Sequence, residues 1–190
     1  NAMDELEGWC SKEKGSVLFD LVAMLKPQVV VEIGVFGGKS LFPMAFALKA
    51  NQGGTAYGID PWNASDSIIG MDGVNQSYWA KVDHDKILYN LQKKITKFNL
   101  DERIVLIRDT SQGADPIENI DILHIDGNHS EQQSYLDVVK WLPLVRKGGI
   151  VIFDDITWGT TEKAVELVNE QCCKLAEFHG DNVWGIWVKQ

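Results

Sequence analysis

Residues 29–40, VVVEIGVFGGKS, leave this chain little choice of architecture. Val29, Val30, Val31 and Ile33 make a short β-branched run, the pattern of a strand covered on both faces. Leu41, Met44, Ala45 and Leu48 then recur at helical spacing. A strand, a tight glycine loop and a helix in succession bring backbone N–H groups and the positive end of a helix to the carboxyl edge of a parallel sheet. Open α/β folds take nucleotide-like ligands there.

The glycine spacing selects among such ligands. A dinucleotide loop needs a second glycine so that the pyrophosphate can approach the main chain. Here that place is held by Phe36, and Glu32 adds an anion two residues before Gly34, which suits a cationic, phosphate-free ligand. The spacing Glu-x-Gly-x-x-x-Gly resembles motif I of the class I S-adenosylmethionine (SAM)-dependent methyltransferases.

The rest of the chain supplies the other elements in order. Residues 9–26 read as a packing helix stopped by Pro27; Ser40 is placed to cap the next helix, with Pro43 in its first turn and Gly53-Gly54 at its end. Residues 55–60 form a second strand ending in Asp60, where an acid can accept hydrogen bonds from ribose hydroxyls. Residues 61–78 lack periodicity and read as a lid loop walled by Trp62 and Trp79. Leu88, Leu91, Ile95 and Phe98 mark a long helix starting near Trp79. Strands follow at 103–108, 120–126 and 150–153, with the polar turn 109–112 after the first and a break at Lys147-Gly-Gly149 before the last. Ser130 with Gln133 reads as a capping box opening a helix through Leu136 and Val139. His124, inside its strand, reads as a packed core residue. Thr160 or Thr161 caps a final helix with Val165, Val168 and Cys172 on its buried side. Strands near 175–178 and 183–188, joined at 180–182, are close enough only for an antiparallel pair. The predicted fold is therefore α/β: a Rossmann-like, seven-stranded, mostly parallel sheet with helices on both faces and a C-terminal antiparallel hairpin.

Asp126, Asp154 and Asp155 fall at strand ends that such a sheet gathers on one rim. Three carboxylates so close need a cation, and oxygen ligands select a hard one, Mg²⁺ or another such divalent ion. With these residues the chain resembles the metal-dependent O-methyltransferases of class I, the group containing catechol O-methyltransferase and the macrocin-type sugar O-methyltransferases. The resemblance implies that Glu32, Gly34, Gly38 and Ser40 hold the methionine part of SAM. It implies further that Asp60 meets the ribose, that Ser111 and Gln112 lie beside the adenine, and that Asp126, Asp154 and Asp155 ligate the metal. The catechol-type enzymes have Asn at the last of these positions and the sugar-type enzymes have Asp, as here. Where the catechol type places its basic Lys, this chain has His129, so His129 or Asp126 is the expected acceptor of the hydroxyl proton. The implied substrate is a small hydroxylated molecule of sugar, polyketide or phenol type.

Composition narrows the partners. A net charge of −9 and a pI near 4.9 offer no basic surface to a phosphate backbone, so nucleic acid is not an expected partner. No apolar run is long enough for a membrane span. Three cysteines without metal-binding spacing fit a reduced compartment, so a cytoplasmic protein is expected. The 190 residues read as a single domain, with Asn1 and Ala2 outside the fold, and assembly into a homo-oligomer is left open. Two other readings compete: an NAD-linked Rossmann oxidoreductase, which Phe36 and the terminal hairpin oppose, and a non-catalytic SAM-binding protein, which the clustered acids oppose.

Overall fold

The apolar run becomes β1 (Val29–Ile33), with Val30 and Val31 wholly inaccessible. The structure, a computed structural model, describes residues 2–180 and 182–190. After a 3₁₀ turn at Ala2–Glu5, the chain runs through α1 (Lys12–Leu25), β1, α2 (Leu41–Ala50), β2 (Thr55–Asp60), α3 (Ala64–Ser67), α4 (Gly73–Trp79) and α5 (His84–Lys97). It continues through β3 (Ile104–Arg108), β4 (Ile120–Ile125), α6 (Glu131–Trp141), β5 (Val145–Phe153), α7 (Glu162–Gln171), β6 (Cys172–His179) and β7 (Val183–Lys189).

The seven strands form one sheet in the order β3-β2-β1-β4-β5-β7-β6. Pairing is parallel from β3 to β5 and antiparallel where β7 joins β5 and β6. This is the expected mostly parallel sheet with a terminal antiparallel hairpin. Alternation along each strand explains the continuous hydrophobic runs: Val30, Ala56 and Ile122 face a core built with α1, α2 and α5. Their neighbours Val31, Leu123 and Val151 face a second core with α6 and α7. Two covered faces demand apolar residues at both parities.

Several local expectations are corrected. Residues 61–78 are not one loop but carry α3 and α4, neither with a buried residue, so no apolar stripe announced them. The long helix begins at His84, five residues later than expected. Strand β5 starts at Val145 and runs through Lys147-Gly-Gly149 instead of being broken there. Cys172 and Cys173 open β6 and lie outside any helix. Ala2 belongs to the 3₁₀ turn, which buries Met3. The capping devices also differ, because tertiary partners claim the hydroxyls: Ser40 donates to Glu32, Ser130 to the Ile69 carbonyl, and Thr161 to the Asp155 and Trp158 carbonyls. The expected turn at 180–182 includes Asp181, which lies outside the described residues.

Candidate functional site

Four acids stand at the carboxyl ends of four adjacent strands. Glu32 is the penultimate residue of β1, Asp60 ends β2, and Asp126 and Asp154 directly follow β4 and β5. Backbone bonds continue the ladder past the strand ends, Asp126 N–H to the Ile33 carbonyl at 2.9 Å and Asp154 N–H to the Ile125 carbonyl at 3.0 Å. Sheet register thus fixes the rim.

The glycine loop lies against that rim. Gly34 has φ +84°, and a Cβ there would overlap the Asp126 carbonyl, so this loop and the Asp126 loop are in contact. Gly38, at φ +82°, is required by packing, since a Cβ would come within 2.6 Å of the Leu91 side chain on α5. Asp60 holds the loop from β2: Oδ2 accepts Val35 N–H at 3.1 Å and Phe36 N–H at 2.9 Å, and Oδ1 accepts Trp62 N–H at 2.8 Å. Burial pushes the Asp60 carboxyl up against the opposing pull of these bonds, leaving it raised. Of the roughly four acceptor positions on a carboxylate, three are occupied by backbone. Trp62 is buried, its indole N–H donating to the Phe36 carbonyl at 2.9 Å, so it braces the loop and is no lid wall. Trp79 is where a wall was expected, packing edge-on to Phe36 at 5.3 Å beside Trp9 and Tyr78.

Behind the loop lies a buried charge network that the sequence reading did not anticipate. His124 Nδ1 is 3.0 Å from Glu32 Oε1, and Glu32 also accepts the Ser40 hydroxyl. The Lys14 ammonium, only 4% exposed, reaches from α1 to donate to Asp154 Oδ2 and lies 3.4 Å from His124 Nε2. Burial alone would raise the Asp154 carboxyl, but the Lys14 and His124 charges outweigh it and hold the group far below the usual carboxylate range. For His124 burial and Lys14 pull the pKa down, yet the adjacent carboxylates of Asp154 and Glu32 prevail and lift it to about 9. Two buried carboxylate oxygens, Glu32 Oε2 and Asp154 Oδ1, have no hydrogen-bond partner among the described residues.

A second, more open group lies outside it. His129 Nε2 is 2.6 Å from Asp155 Oδ2 and 3.7 Å from Asp126 Oδ1, and the ring packs edge-on to Trp158 at 5.2 Å. Burial would lower the His129 pKa, but the Asp155 bond and the Asp126 charge leave it raised. Asp126 is raised, first by loss of solvent and then by the Asp154 charge. Two overlapping sets have ligand atoms within 4.8 Å of one another: His124, Asp126 and Asp154, and Asp126, His129 and Asp155. Asp154 and Asp155 therefore belong to different sets that share Asp126. Two carboxylates beside one imidazole suit a divalent ion that takes oxygen donors, and the second set fits one by donor chemistry.

At the far side of the rim, Ser111 donates its hydroxyl to Asp137 Oδ1, and Gln112 lies 3.4 Å from the same oxygen. Asp137, on α6 and 2% exposed, is a further residue the sequence reading missed. Its signal was a carboxylate sharing a helix face with Ser134 and Trp141, both buried. Lys14 gave a similar one, heading the stripe of Leu18 and Val22 at intervals of four.

Among the described residues no helix is long and apolar enough to cross a membrane. In comparisons with known proteins, residues 31–156 match the sequence model of a family described as a methyltransferase domain. An uncharacterised protein of Sinorhizobium fredii is 28% identical over 173 residues, 89% of this chain and 16% of its own length. A caffeoyl-CoA O-methyltransferase of Stellaria longipes is 25% identical, over 77% of this chain and 54% of its own. The chain spans about half the length, or less, of these curated relatives. Among solved structures, an O-methyltransferase of Bacillus cereus in complex with S-adenosylhomocysteine superposes with a TM-score of 0.67 at 19% identity, covering 99% of this chain and 86% of that one. The O-methyltransferase of Streptomyces achromogenes involved in tomaymycin synthesis, solved with SAM, gives 0.67 at 15% identity over 95% and 81%. These two superpositions show a shared fold, and with the family model covering the sheet from β1 to the acids after β5, the chain belongs to the methyltransferase-domain family.

Proposed function

We propose that this protein is a SAM-dependent O-methyltransferase that moves a methyl group to a hydroxyl of a small molecule, of sugar, polyketide or phenol type, with the help of a divalent ion. One observation carries the reading: the glycine loop and the Asp126 loop are in contact at Gly34, so a donor held by the first adjoins an acceptor held at the second. Glu32, Gly34, Gly38 and Ser40 would cradle the methionine part and Asp60 would keep the loop closed while facing the ribose. Ser111 and Gln112 would meet the adenine. The relatives and solved neighbours named as O-methyltransferases support this assignment.

Asp126 and Asp155, flanked by His129, would hold the ion, Mg²⁺ or Mn²⁺, and when bound it would lower the pKa of the hydroxyl placed on it. Asp154, the third ligand that the resemblance implies, is ion-paired with Lys14. His129 or Asp126 would take the hydroxyl proton, and holding the acceptor oxygen in line with the methyl group would contribute much of the rate. The aromatic group Trp9, Phe36, Tyr78 and Trp79 would exclude water beside the donor loop.

Tritium transfer from labelled SAM to a panel of vicinal diols tests the reading. Label should appear in at least one diol and vanish with EDTA. Transfer that persists in EDTA would remove the metal, and no transfer to any diol or phenol would favour a binding protein.

A further inference from the structure

The buried ammonium of Lys14 is paired with Asp154, one of the carboxylates that the resemblance makes metal ligands. We propose that the Lys14 ammonium is the resident counter-cation of Asp154, withholding that carboxylate from the divalent ion, which is left to Asp126 and Asp155 beside His129. The inference deepens the metal-assisted reading above and rests on it.

Three observations carry it. First, Lys14 and Asp154 are 4% and 2% exposed, so their ion pair is shielded from water and salt. An ion that captured Asp154 would strip the buried ammonium of its hydrogen-bonded carboxylate, leaving around it the His124 ring nitrogen at 3.4 Å, the Trp184 ring at 5.4 Å and the Asp126 charge. Second, the face of α1 that carries Lys14 is turned into the core. Leu18 and Val22 are fully buried, and at Gly15 even a Cβ would come within 2.6 Å of the Met3 sulfur. Third, the other oxygen of Asp154 is buried without a hydrogen-bond partner among the described residues, and His124 Nε2 lies 3.5 Å from it. Asp154 thus faces two basic groups of its own protein, whereas Asp155 faces His129 in the more open set.

Calorimetric titration with Mn²⁺ tests this on wild type, Lys14→Met and the charge-balanced double variant Lys14→Met/Asp154→Asn. Lys14→Met frees a carboxylate beside Asp126 and should tighten Mn²⁺ binding by at least about tenfold. The double variant, which leaves no buried charge unpaired and so should fold even if the single one does not, should stay within about threefold of wild type. Loss of Mn²⁺ binding in the double variant would make Asp154 a ligand and overturn the proposal, as would an unchanged affinity in a folded Lys14→Met. Absence of binding in wild type would instead remove the metal-assisted reading. In that case, binding gained by Lys14→Met would still support the counter-cation role, and binding by neither would overturn it too.

Discussion

Asp137 is the carboxylate this molecule finds hardest to keep ionised outside the acid rim. Burial pushes it up to about 6, and the bonds from Ser111 and Gln112 only partly oppose that. A folded-state pKa above the unfolded value of 3.8 means the folded protein binds this proton more tightly. Its contribution to stability is complete below that value and is lost as the pH rises through about 6. Asp137→Asn keeps an acceptor for Ser111 and removes the buried charge. Relative to wild type, it should gain up to about 3 kcal/mol between pH 4 and pH 7.5, measured by urea denaturation at both pH values. An unchanged difference would show Asp137 to be well solvated. The acids Glu32, Asp60, Asp126 and Asp154 were legible because each lies at the end of an apolar run, whereas the helical stripes that hold Asp137 and Lys14 hint at burial but name no partner for either charge. The partner of Lys14 lies 140 residues away, and only the fold brings them together.

Among elements, the clearest functional device is the turn after β2. Trp62 adopts φ +40°, buries its ring, and ties Asp60 to the Phe36 carbonyl through its backbone and indole N–H groups. Trp62→Phe keeps most of the volume and loses the indole hydrogen bond, so it should cost about 1 kcal/mol. Trp62→Ala should cost about 3–5 kcal/mol through the cavity it leaves. Both should weaken S-adenosylhomocysteine binding, with stability read by urea denaturation and affinity by calorimetry; a Trp62→Phe variant of wild-type stability and affinity would reduce the indole to packing. The sequence marked this tryptophan but put it on the lid, because an aromatic after Asp-Pro carries no sign of which way its ring turns. Strands β1, β2 and β4 were legible to within a residue since both of their faces are covered. Helices α3 and α4 bury nothing and left no pattern to read.

Across the whole molecule, the crossover order β3-β2-β1-β4-β5 carries the argument, because it sets β1, β2, β4 and β5 side by side with their carboxyl ends aligned. The order of acids along the chain becomes an order across one rim, with the glycine loop at its middle. That arrangement could be read in advance, since parallel strands joined by helices wind in one hand and place their loops on one edge. The division of the acids into an inner set under Lys14 and an outer set beside His129 could not, since it depends on side-chain packing between elements far apart in sequence. The central claim is that this rim holds a sulfonium nucleoside and not a dinucleotide. Isothermal titration of the protein with S-adenosylhomocysteine and, separately, with NAD tests it most directly. Saturable 1:1 binding of S-adenosylhomocysteine with no heat from NAD is the result predicted, and binding of NAD without S-adenosylhomocysteine would contradict it.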